Sequence, residues 1–151
     1  MTLPTGSTAL QIIRMINAPR ARVYAAWTDS DLARKWLEAE SCATDELVLE
    51  TWRGGRFLWV LSKMNGEKQT IRGKFRMVHP QEKIIHTWQW VDAPLWKDAM
   101  SLVTVEFWEK ENNSFTELRL THDKFPDESS RDNHINGWNN ALDKLDHLIA
   151  V

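Results

Sequence analysis

Hydrophobic positions near the end of the chain recur at three- and four-residue spacing. Ile135, Trp138, Ala141, Leu142, Leu145, Leu148 and Ile149 form one stripe, and Asp143, Lys144 and Asp146 fall off it. The spacing predicts a long amphipathic helix from Asp127 to Ile149. Pro126 and Asp127 mark its start, and Asp127 and Glu128 place negative charge at the positive end of the helix dipole. Gly137 in mid-helix costs roughly 1 kcal/mol against alanine, which predicts that sheet or ligand approaches the backbone there.

The preceding chain changes period. Leu10 to Ile16 is apolar and β-branched enough for a strand, broken by Asn17, Ala18 and Pro19. Pro19 then opens a helix with Val23, Tyr24 and Trp27 on one face. Ser30 or Asp31 caps a second short helix carrying Leu32 and Trp36. After a polar loop through Cys42 and Thr44, the chain alternates in ELVLETW, turns at Gly54-Gly55 and continues as RFLWVLS. Beyond Asn65-Gly66, Ile71, Phe75 and Met77 fall on one side of a strand, and Arg72, Lys74 and Arg76 on the other. In KIIHTWQWV, Ile84, His86, Trp88 and Trp90 share one side. MSLVTVEFW aligns Val103, Val105 and Phe107, and FTELRLTHD aligns Leu118, Leu120 and His122. The expected fold is therefore α+β: a curved antiparallel sheet of about six to seven strands across one long C-terminal helix, with two short helices after the first strand.

The chain has 151 residues, enough for one domain spanning 1–151 with its own core, and a formal net charge of −2. No lysine or arginine run forms a basic stripe, so nucleic acid is not expected as a partner. No stretch is long enough for a membrane span, and the first twenty residues lack the layout of a secretory signal, which points to the cytoplasm. Cys42 is the single cysteine, and with neither a second cysteine nor an HExxH spacing no metal site or cofactor is expected. Nine tryptophans against one tyrosine imply either a bulky core or an aromatic-lined cavity.

Strand parity sharpens the second reading. If Phe75, Met77, Trp88, Val105, Phe107 and Leu120 face the long helix, His86 and His122 face it too, and His134 lies four residues before Trp138. The candidate ligand-binding residues are Trp27, Trp36, Phe57, Trp59, Phe75, His86, Trp88, Trp90, Val105, Phe107, Leu120, His122, His134 and Trp138. The histidines are either core groups satisfied by hydrogen bonds or a polar patch that orients a bound molecule. For acid-base work the catalytic candidates are His122, Glu50 and His86. Glu50 is either a buried carboxylate with a raised pKa or a residue of the outer face. An outward Trp59 or Trp108 would supply a homodimer surface.

The runs IRMINAPRARVYAAWTDSDLARKW, GGRF, GKFRMVHPQEKIIHTW, VTVEF, ELRLTHDKFPDE and HINGWNNALDKL follow one another in an order that resembles the homologues of the activator of heat shock protein 90 ATPase. The resemblance covers nearly the whole chain. It implies the helix-grip fold of the START-like, birch-pollen-allergen-like superfamily (SRPBCC), a hydrophobic ligand in the central cavity, and a chaperone as an alternative partner. The chain departs from the family pattern at Leu37-Glu38-Ala39, where a tryptophan and a Gly-Pro turn are usual, so the cavity mouth differs. Of the family's acid-base pair before the Gly-Gly turn, Glu50 keeps the acid while Trp52 replaces the base. Three readings follow: a protein that binds a small hydrophobic molecule, a module that regulates a chaperone ATPase, and a cyclase, lyase or hydrolase using Glu50 and a histidine.

Overall fold

The computed structural model describes residues 8–39 and 41–150. Strand β1 (Leu10–Ile16) is followed by helices α1 (Arg20–Thr28) and α2 (Ser30–Ala33). Six strands then succeed one another: β2 (Cys42–Leu49), β3 (Arg56–Lys63), β4 (Lys68–His79), β5 (Lys83–Val91), β6 (Ser101–Lys110) and β7 (Phe115–Asp123). Helix α3 (Glu128–Ile149) ends the order, and a single 3-10 turn, Pro94–Trp96, lies between β5 and β6. All seven strands form one antiparallel sheet in the order β1-β7-β6-β5-β4-β3-β2. This is the α+β sheet-and-helix arrangement that the hydrophobic pattern predicts and the helix-grip fold that the resemblance implies.

Local chemistry sets the helix ends. Asp127 caps α3, its carboxylate accepting from the Ser130 N–H at 2.8 Å. In α2 the cap is Asp29, which receives the N–H groups of Asp31 and Leu32, and not Ser30 or Asp31. Trp36 lies beyond the end of that four-residue helix, yet is fully buried, with its indole N–H donating to the Ala26 carbonyl at 2.8 Å.

The inner face of the sheet is apolar. Phe57, Trp59, Leu61, Ile71, Phe75, Ile84, Trp88, Val103, Val105, Phe107, Leu118 and Leu120 are buried there, and α3 adds Trp138, Ala141, Leu142, Leu145 and Ile149. Two expected core positions differ. Leu148 is 36% exposed, because it sits at the edge of a stripe that the helix buries along Leu142, Leu145 and Ile149. Met77 pairs with Ile85 while Phe75 pairs with His86, so a bulge between them turns Met77 to the outer side and brings Val78 against the core. Strand β2 also starts earlier than the polar composition suggests. Cys42 to Thr44 pair with β3 ahead of a bulge that ends at Glu46.

Glycine matters at one strand position. A Cβ on Gly73 would stand 1.8 Å from the Thr87 carbonyl oxygen, so β4 and β5 approach too closely there for any side chain. Gly137 is the opposite case: a Cβ there meets nothing within 4 Å, so the sheet does not crowd the helix backbone. Gly137→Ala should therefore raise unfolding free energy by up to about 1 kcal/mol. Gly73→Ala should lower it by about 1–3 kcal/mol. Urea denaturation of the two variants checks both signs.

Candidate functional site

The site is built where β5, β6 and β7 face α3. His122 on β7 and Ser101 at the start of β6 are both fully buried, and Trp138 on α3 is 4% exposed. The Trp138 indole N–H donates to His122 Nδ1 at 3.0 Å. The Ser101 hydroxyl donates to the Trp88 carbonyl at 2.8 Å, so its oxygen accepts from His122 Nε2–H at 2.7 Å. These partners fix a neutral imidazole with its proton on Nε2. Burial first, then the nearby His134 and His86, hold His122 well below its ordinary pKa. Protonation would set an N–H against the indole N–H.

His134 is tied the other way round. Its Nδ1–H donates to the Ser130 carbonyl at 2.7 Å, and its Nε2 accepts the Trp90 indole N–H at 3.0 Å. Burial lowers its pKa as well. His86 stacks on Phe57 with ring centroids 4.2 Å apart and donates from Nδ1 to the Thr87 carbonyl; burial pushes it down to about 4. The three histidines thus share the inner side as neutral hydrogen-bonding groups.

A half-open cleft of about 390 Å³ opens beside this network, between the sheet and α3. Trp59, Trp88, Trp90 and Trp138 supply aromatic wall, and His134, Asn133, Asn136 and Asn140 supply polar groups from the helix. Leu37, Glu38 and Ala39 lie at its margin, and a Glu38–Lys144 ion pair joins that segment to α3. Trp88 is 3% exposed, and its indole N–H has no acceptor among the described residues. A second, enclosed void of about 20 Å³ is lined by Trp27, Trp36, Phe57, Phe75, His86 and Trp138. It has room for about one water molecule. The Trp27 indole N–H is likewise buried with no acceptor among the described residues.

The structure therefore divides the residues that strand parity gathers into one lining. Trp59, Trp88, Trp90, His134 and Trp138 border the cleft, and Trp27, Trp36, Phe57, Phe75 and His86 border the small void. Val105, Phe107 and Leu120 are packed core, at most 2% exposed. His122 touches the site only through Trp138, Ser101 and neighbouring rings. Glu50 does not join the histidines. It follows the end of β2 and pairs with the Arg56 side chain at 2.9 Å, and hydrogen bonds from Arg56 lower its pKa. The base missing at Trp52 is thus supplied from the far side of the Gly54-Gly55 turn. Trp59 is buried, and of the two tryptophans considered for a dimer surface only Trp108 is exposed, with the Arg119 guanidinium over its ring.

Sequence reasoning missed Ser101, whose role appears only through the β5–β6 register that sets it opposite Trp88. It also missed the helix asparagines, which read as an ordinary wet face. Among the described residues, no group of three or more histidine, cysteine or acidic side chains could hold a metal ion, and no helix is long and apolar enough to cross a membrane.

The family model of Activator of Hsp90 ATPase homolog 1-like protein matches residues 17–150. No curated protein matches the chain. Among solved structures, the chain resembles a protein from Chromobacterium violaceum at 24% identity and TM-score 0.85, covering 95% of this chain and 98% of that one. A protein from Rhodobacter sphaeroides matches at 25% identity and TM-score 0.80, over 96% and 94% of the two chains. The AHSA1 protein from Silicibacter pomeroyi matches at 23% identity and TM-score 0.78, over 92% and 95%.

The depressed histidines make stability depend on pH with a definite sign. Below 6.5 the unfolded chain takes up protons that the native state refuses, so stability is full above that pH and falls as the solution is acidified. For His86 the loss runs from 6.5 down to about 4. Each such proton contributes a slope of about 1.4 kcal/mol per pH unit. Urea unfolding across that range should show the slope, and His86→Phe should flatten it by about one proton.

Proposed function

The chain belongs to the family of Activator of Hsp90 ATPase homolog 1-like proteins, and from that premise we propose that it binds a small, largely apolar molecule in the cleft between the sheet and α3. The observation that carries this reading is the make-up of the cleft: the indoles of Trp59, Trp88, Trp90 and Trp138 and the amides of Asn133, Asn136 and Asn140 line one space of about 390 Å³. The cleft volume lies in the range of small-molecule sites.

The lining also restricts the ligand's charge. Among the described residues, Glu38 is the one charged side chain in the wall, and Lys144 neutralises it. A net-neutral ligand with a flat apolar body and a polar end fits best, its rings against the indoles and its polar end toward the helix asparagines. The acid-base reading loses support because Glu50 is held by Arg56, and the chaperone reading rests on the family's description alone.

Nile red, a neutral ring system with a carbonyl oxygen, tests the proposal. Its emission should rise with the wild-type protein and saturate. Gly137→Leu, which places a side chain into the open space of the cleft, should reduce binding by about tenfold or more while the far-UV circular dichroism and Tm are kept. Trp88→Phe should weaken it less, by the loss of part of one aromatic face. Equal binding to the wild type and Gly137→Leu would remove the cleft as the site.

A further inference from the structure

The sheet carries a second recess, on the face turned away from α3. It is a half-open groove of about 870 Å³ around the Gly54-Gly55 turn and strands β3 to β5, and Arg53, Arg56, Arg72, Lys74 and Arg76 all line it. These cations are dispersed in the sequence, which is why no basic run announces them. The β3–β4 register gathers them, setting Arg56 opposite Lys74 and Leu58 opposite Arg72. The absent side chain of Gly73 keeps β4 and β5 close beneath them.

Compensation is sparse. Among the described residues, Glu50 is the only carboxylate within ion-pair distance of any of the five, and it is taken by Arg56. Arg72 donates from Nε to the neutral Gln89 Oε1 at 3.3 Å. Positive charge is thus concentrated in one groove of a chain whose formal net charge is −2. Leu58 and Met100 add apolar surface to the same lining.

We propose that this groove docks an acidic, extended segment of a partner protein, its carboxylates against Arg72, Lys74 and Arg76 and an apolar side chain against Leu58 and Met100. All five cations are exposed, and no polar atom of the lining is buried without a partner. Recognition here therefore works through charge at a surface and not through a shaped polar pocket. A long polyanion such as nucleic acid would run past the groove onto a net-negative surface, whereas a short carboxylate-rich segment ends within it. The proposal is independent of the cleft on the other face.

The test is fluorescence anisotropy with a labelled peptide of alternating glutamate and leucine, the same peptide with glutamine for glutamate, and a labelled single-stranded oligonucleotide of equal charge. The glutamate peptide should bind and weaken steeply as salt shortens the reach of exposed charges. The glutamine peptide and the oligonucleotide should bind at least about tenfold more weakly. Arg72→Glu with Lys74→Glu should reduce binding by about tenfold or more. Arg53→Glu with Arg76→Glu serves as a second charge reversal should the first pair disturb the fold, and Tm and circular dichroism identify that case. No binding of the glutamate peptide, equal binding of the glutamine peptide, unchanged affinity in a folded charge-reversed variant, or tighter binding of the oligonucleotide would each overturn the proposal.

Discussion

A chain of buried hydrogen bonds ties the long helix to the middle of the sheet: Trp138 donates to His122, His122 to Ser101, and Ser101 to the carbonyl of Trp88. It crosses from α3 to β7, β6 and β5 in three steps. Every member is apolar in its surroundings and polar in its contacts, so each bond is made where no solvent competes. Apolar packing is non-directional and names no single pair of atoms, so by itself it leaves a helix more freedom to shift over a sheet than a directional bond does. The chain removes that freedom, because only one placement of α3 brings the Trp138 N–H to His122 Nδ1. Through that placement it sets the width of the cleft, whose helix wall includes Trp138 itself.

Eight of the nine tryptophans then separate by what their N–H groups do. Trp36 donates to a backbone carbonyl, Trp59 to the Thr44 hydroxyl, and Trp90 and Trp138 to histidines. Trp52 and Trp108 are exposed. Trp27 and Trp88 are buried with donors unmatched among the described residues, and each borders a void. The aromatic excess thus serves both purposes that composition left open. Most of it is core, and a part of it is wall.

Periodicity carried the fold because burial on one side is what selects period 2 or 3.6. The span of β1, the start of α3 at Asp127 and the shared inward side of His86 and His122 were all legible in this way. Events that break the period were not. A single inserted residue at the β4 bulge reverses Met77 and Val78, and nothing in QTIRGKFRMV distinguishes that outcome from a regular strand. Long-range pairings were equally hidden. Glu50 meets Arg56 across a turn, Ser101 meets His122 across two strands, and the basic groove gathers cations from separate segments. In each case the side chains are ordinary and the meaning lies in the register. The open space at Gly137 was also invisible, since a glycine in a helix signals a closely packed backbone and an empty one alike.

The sheet order has a kinetic side. The first strand is an edge strand, and its neighbour is the last strand, so the Gln11–Thr121 contact closes across 110 positions. The six later strands are joined one after another to their neighbours and can zip in sequence. The first strand must wait for its neighbour, and so must the helix that covers it, since Arg14 on β1 pairs with Asp143 on α3. During synthesis, therefore, β1 is made before β7 and waits for it to find its place. Until then the outer edge of β7 stays unpaired and the apolar residues Leu10 and Ile16 stay unburied. Contacts between distant segments slow folding, and this sheet holds its most distant strand pairing between β1 and β7, where the same closing event completes the sheet and seats the helix.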